Sequence, residues 1–151
     1  MNSSEIKFTY PVLGFSSDGD LYGFPDLDRL TKCGPRTLED RWHIGMELVD
    51  DRLKRWRVLS VRRTGRAGSL LGLLWIFGPP QSRVEFELVD MPPISMKEVQ
   101  ERACKAMEHQ KEDYYGEDGQ KEYEDTLKNI GETNSARELY NLLNPDTFEG
   151  Y

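Results

Sequence analysis

The sequence predicts an α+β fold: a twisted, mainly antiparallel sheet over about residues 5–91, with C-terminal helices over about residues 95–144 packed on one face. Three observations predict it. Short apolar stretches of period two, separated by turn residues, fill the N-terminal half of the chain. Apolar stripes of helical period, opened by capping residues, fill the rest. The charge changes at the same boundary. Residues 1–91 hold 13 basic and 13 acidic residues, whereas residues 92–151 hold 7 and 14, so the formal net charge of −7 arises entirely in the helical region. A length of 151 residues suits a single domain, 1–151, in which residues 1–91 are sheet-rich and residues 92–151 are acidic and helical.

In chain order, "IKFTYPVLGF" and "LYGF" read as strands joined by a hairpin turn at Asp18-Gly19, where glycine tolerates positive φ. Pro11 marks the first strand as either an edge strand or an interrupted one. "DLDRLTKCG" predicts a short helix from Asp26, stopped by Gly34 and Pro35. "MELVD" and "RWRVLSVRR" are strands separated by the polar turn "DRLK". "SLLGLLWIFGPP", with Ser69 as a cap and Pro79-Pro80 as a stop, is read as a buried helical turn rather than a strand. "RVEFELVD" alternates, with Val84, Phe86 and Leu88 on one face and Glu85 and Glu87 on the other.

Beyond "MPPIS", Ser95-x-x-Glu98 reads as a capping box. It opens a helix whose stripe is Met96, Val99, Ala103, Ala106 or Met107, and Gln110. "DGQKEYEDTLKNIG" and "NSARELYNLLNP" predict two more helices. The second has Ala136, Leu139, Tyr140 and Leu143 on one face and stops at Asn144-Pro145.

The charge pattern poses the functional question. From Arg52 through Arg83 the chain carries eight basic residues and no acidic one. In the strand reading, Arg55 and Arg57 share a face with Glu47, Glu85 and Glu87, so cross-strand pairing neutralises some of this block. Arg62, Arg63 and Arg66, beside Gly65 and Gly68, form an alternative anion-binding loop, because glycine lets backbone N–H groups approach a phosphate. "RRTGRAG" matches neither a P-loop nor a dinucleotide fingerprint. A sequence pI near 4.9 weighs against nucleic-acid binding.

Known chemistries find little support. Asp18, Asp20 and Gly23 begin like a calcium loop, but Tyr22 stands at the third ligand position and Arg29 at the twelfth. His43 and His109 share no spacing with Cys33 or Cys104 that marks a zinc site or a nucleophile pair. The expectation is therefore no metal, no cofactor and no catalytic residue. The cysteine spacing predicts reduced thiols. The N-terminal stretch lacks the charged and apolar regions of a signal peptide, and the longest apolar run is too short to span a membrane. A cytoplasmic location is expected.

The densest acidic and aromatic stretch is "HQKEDYYGEDGQKEYED", residues 109–125. Tyrosine buries area at small entropic cost, and an acidic field speeds association with a cationic partner. Glu112, Asp113, Tyr114, Tyr115, Glu117 and Asp118 are the candidate partner-binding residues. The expected function is a non-catalytic intracellular protein-binding protein, concretely a bacterial immunity-type protein that neutralises a basic toxin domain. The alternative is a nucleic-acid or phosphate-ligand module using Arg62, Arg63 and Arg66. A third reading is an enzyme whose site the fold assembles from scattered polar residues.

Overall fold

Period-two segments pair into one sheet in the computed structural model, which describes residues 1–67 and 81–148. The strands are β1 (Val12–Phe15), β2 (Leu21–Phe24), β3 (Lys32–Cys33), β4 (Glu47–Val49), β5 (Arg55–Ala67) and β6 (Gln81–Met91). Their order is β2-β1-β4-β5-β6-β3, and all five contacts are antiparallel. The stretch read as a buried helical turn, 69–78, lies outside the described residues.

The sheet buries both faces, each against a different layer. Register puts Val12, Phe24, Leu48, Trp56, Val58, Phe86 and Leu88 on one face. There they pack with Phe8, Leu30, Met46 and Phe148. Leu13, Phe15, Leu21 and Val49 point the other way, into the helices. These are α3 (Met96–His109), α4 (Lys111–Tyr115), α5 (Gln120–Glu132) and α6 (Ala136–Leu143). Their buried stripes include Val99, Ala103, Ala106 and Met107 of α3, Ile130 of α5, and Ala136 and Leu139 of α6. The helices thus cover the β2-β1-β4 side of one face. The outer face of the β5–β6 hairpin carries Arg57, Ser60 and Arg62 opposite Val89, Glu87 and Glu85.

Several sequence signals act as expected. The β1–β2 turn has Gly19 at φ 96°. Ser95 Oγ accepts a hydrogen bond from the Glu98 amide, and Asn144 ends α6 in the left-handed region. Gly23 has a packing role: an added Cβ would lie 2.5 Å from Pro145 Cγ and 2.7 Å from the Tyr140 ring.

Other details differ. Pro11 marks an interruption, not an edge, since β1 runs between β2 and β4 and begins one residue after it. The missing N–H falls just outside the ladder. The helix from Asp26 ends early: α1 spans Leu27–Leu30, and Lys32–Cys33 leave it to pair with β6 as β3. Pro35 then starts α2 (Pro35–Glu39) instead of stopping a helix, because proline's fixed φ suits a first turn. The carboxylate of Glu98 turns away from its own helix start and bonds Arg102.

Candidate functional site

Half of the basic block, Arg55, Arg57, Arg62 and Arg83, is spent on carboxylates of the sheet and of α1. Glu47 on β4 sits where three guanidinium groups converge: Arg102 at 2.7 Å, Arg57 at 2.8 Å and Arg55 at 3.4 Å. Glu98 takes a second contact from Arg102 at 2.9 Å and one from Arg55 at 3.7 Å. This network bolts α3 onto β4 and β5. Burial pushes the Glu47 carboxyl up, but the Arg57 and Arg102 hydrogen bonds outweigh it and hold it below its ordinary value. Arg62 pairs with Glu85, which also accepts from the Ser4 hydroxyl. Arg83 pairs with Asp28, which Lys32 bonds at 2.8 Å.

Arg62, Arg63 and Arg66 do not converge. Arg62 faces Glu85 on the outer face, whereas register sets Arg63 opposite Val84 and Arg66 opposite Ser82 on the other side of the strand. Among the described residues, Arg63 Nε reaches the Gly65 carbonyl, at 3.4 Å. The described part of the loop expected to cradle a phosphate, 62–67, is a continuation of β5, so its backbone amides line a ladder; Gly68 lies outside the described residues.

The acidic residues after α3 behave differently. Glu112, Asp113, Glu117 and Asp118 are all exposed, and none forms an ion pair among the described residues. They surround Gly116, whose φ of 62° turns the chain between α4 and α5. The two tyrosines part company here. Tyr114 is 43 % exposed, with its hydroxyl 3.4 Å from Asp146. Tyr115 turns inward: its ring meets Tyr123 edge-on at 5.8 Å, and its hydroxyl bonds Thr126 at 3.0 Å. Tyr115 therefore supports the corner from below, and Tyr114 is the ring on its surface.

Two features had no clear sequence signal. The first is His43, 1 % exposed, boxed by Phe148 at 4.5 Å and Phe86 at 5.0 Å between ring centroids. Among the described residues neither ring nitrogen has a hydrogen-bond partner, and burial pushes its pKa down to about 4. The second is Asp50, buried in the β4–β5 turn, whose carboxylate accepts from the amides of Thr9, Arg52 and Lys54.

Cys33 and Cys104 are free; Cys33 is buried in the core on one face of the sheet, and Cys104, partly buried, packs against the core on the other. Among the described residues, no three His, Cys, Asp or Glu side chains are grouped to hold a metal. None of their helices is long and apolar enough to cross a membrane.

These features define an α+β protein with a self-neutralising sheet and an uncompensated acidic corner. No family model, curated protein or solved structure matches the chain.

Proposed function

We propose that this chain is a non-catalytic protein-binding protein whose α4–α5 corner docks a cationic protein. Glu112, Asp113, Glu117 and Asp118 supply the field, and Tyr114 supplies the apolar anchor. The observation that carries this reading is the contrast in charge compensation. Glu47 and Glu85 of the sheet and Asp28 of α1 are held by arginines, while the carboxylates of the corner are left open to solvent. Desolvating an already paired charge costs a binding surface more than engaging an open one. In its concrete form the partner is a basic toxin domain, occluded in the cytoplasm by an immunity-type protein. The anion-binding alternative is weaker, because Arg62 is already engaged by Glu85.

The test is affinity capture from source cells with the wild type and with Glu112→Lys/Asp113→Lys, followed by binding kinetics with the purified captured protein. The expected result is a basic partner whose association slows at least tenfold with the variant and slows with added salt. Equal kinetics for both chains would overturn the proposal.

A further inference from the structure

Strand edges expose unpaired peptide groups, and proteins usually cover them. This chain covers the outer edge of β6: Met1 exchanges two hydrogen bonds with Leu88, Ser3 Oγ accepts from the Phe86 amide, and Thr31 accepts from the Val84 amide. It also caps β2, where the Gly23 amide bonds the Asp146 carbonyl. The distal half of β5 is different. Its pairing with β4 ends at Arg57, and Val58 adds the last two bonds, to Met46 and Gly45. Beyond Val58, no strand among the described residues lies on that side of β5.

The direction of the free groups follows from the ladder. The amides of Leu88, Phe86 and Val84 all point away from β5, and their antiparallel partners are Val58, Val61 and Arg63. Residues facing each other across such a narrow pair send their own N–H and C=O outward together. Val58 does so onto Met46 and Gly45. Val61 and Arg63 therefore offer their peptide groups to the open side. Beside this edge runs a groove of about 550 Å³ lined by Leu38, Arg41, Ile44, Leu59, Ser60 and Val61. Leu59 is 49 % exposed and Ile44 38 %. Further along, Arg62, Arg63 and Arg66 are exposed, with no acidic residue between Arg52 and Arg83.

We infer that the free edge of β5, Ser60–Ala67, accepts an extended segment of another protein as a seventh strand. Charge complementarity fixes the chemistry of the guest. It carries apolar residues beside Leu59 and Val61 and carboxylates beside Arg63 and Arg66. Backbone hydrogen bonds to Val61 and Arg63 supply pairing, and the groove and the arginines supply selectivity. Antiparallel addition continues the pattern of the whole sheet, so the acidic residues precede the apolar ones in the guest. This surface is separate from the acidic corner, and either can fail without the other.

The probe is a capped peptide, Glu-Thr-Glu-Thr-Val-Thr-Val, whose glutamates and valines share one face as Arg66, Arg63 and Val61 do, with a Gln-for-Glu twin as control. Amide exchange by NMR should show Val61 and Arg63 exchanging freely in the protein alone and protected with the peptide. Arg63→Pro removes one outward N–H without touching the β6 ladder and should weaken binding at least tenfold. Arg63→Glu/Arg66→Glu, which leaves the backbone intact, should weaken binding of the Glu peptide similarly and should reverse the preference, so that the Gln twin binds better. Equal affinity of the wild type for both peptides would overturn the inference, as would protection of Val61 and Arg63 in the free monomer. A concentration-dependent dimer that Arg63→Pro abolishes would assign the edge to a second copy, and the acidic guest would be wrong.

Discussion

His43 makes folding stability depend on pH in a way that can be isolated. Its imidazole lies in an apolar box with no partner for either nitrogen among the described residues, so only the neutral ring suits the folded state. Burial lowers its pKa to about 4, against an ordinary value of about 6.5 in the unfolded chain. The unfolded state therefore binds the proton first as pH falls. The stabilisation is complete above the unfolded pKa and is lost as pH falls from about 6.5 towards 4. Between neutral pH and about pH 4.5 this linkage removes about 2–3 kcal/mol, a large share of a typical domain's stability. His43→Phe keeps a planar ring in the box and removes the titration. Urea unfolding of both proteins at about pH 7 and pH 4.5 separates this effect from the carboxylates, which titrate alike in both chains. The expected result is a pH-dependent loss smaller by about 2 kcal/mol in His43→Phe. Parallel losses in the two proteins would refute the reasoning, because His43 would then be protonated or hydrated in the folded state.

Tyr115→Ala should lower stability by about 2 kcal/mol in thermal or urea unfolding, through loss of the Tyr123 contact and the Thr126 hydrogen bond. Tyr114→Ala should stay within about 0.5 kcal/mol of the wild type and act instead on partner dissociation. Gly23→Ala should cost about 1–3 kcal/mol, because its methyl group overlaps Tyr140 and Pro145. In the native protein, timed alkylation should label Cys104 well before Cys33, whose burial pushes the thiol up to about 11; two thiols should titrate after denaturation without reductant.

The sequence signals that proved legible were local ones. Alternation in "RVEFELVD" set the faces of β6, and Ser95 and Asn144 marked true helix ends. Pairing of arginines with carboxylates could be foreseen because strand alternation places Arg57 and Glu47 on the same face. What stayed hidden depends on distant stretches of the chain. Lys32–Cys33 is a strand because β6 offers an edge there, not because "KC" prefers one. Arg102 completes the Glu47 cluster from a helix 55 residues away in sequence. Tyr114 and Tyr115 are identical neighbours in sequence, and only the packing of α5 turns one inward. The acidic corner was visible as composition, but the absence of ion pairs there required the fold.

Phe148 gives the order of synthesis a bearing on the fold. Its ring lies 4.4 Å from Tyr22, 4.5 Å from His43 and 5.9 Å from Phe24, so it closes a core otherwise built from the first 91 residues. A ribosome that has just released Phe24 needs about 6–25 s to reach Phe148 at about 5–20 residues per second. During that interval Tyr22, Phe24 and His43 lack their lid, and the nascent chain carries exposed aromatic surface of the kind chaperones hold. The compositional border near residue 91 is therefore no place to divide the gene: a chain stopped there would leave the ribosome with this core still open.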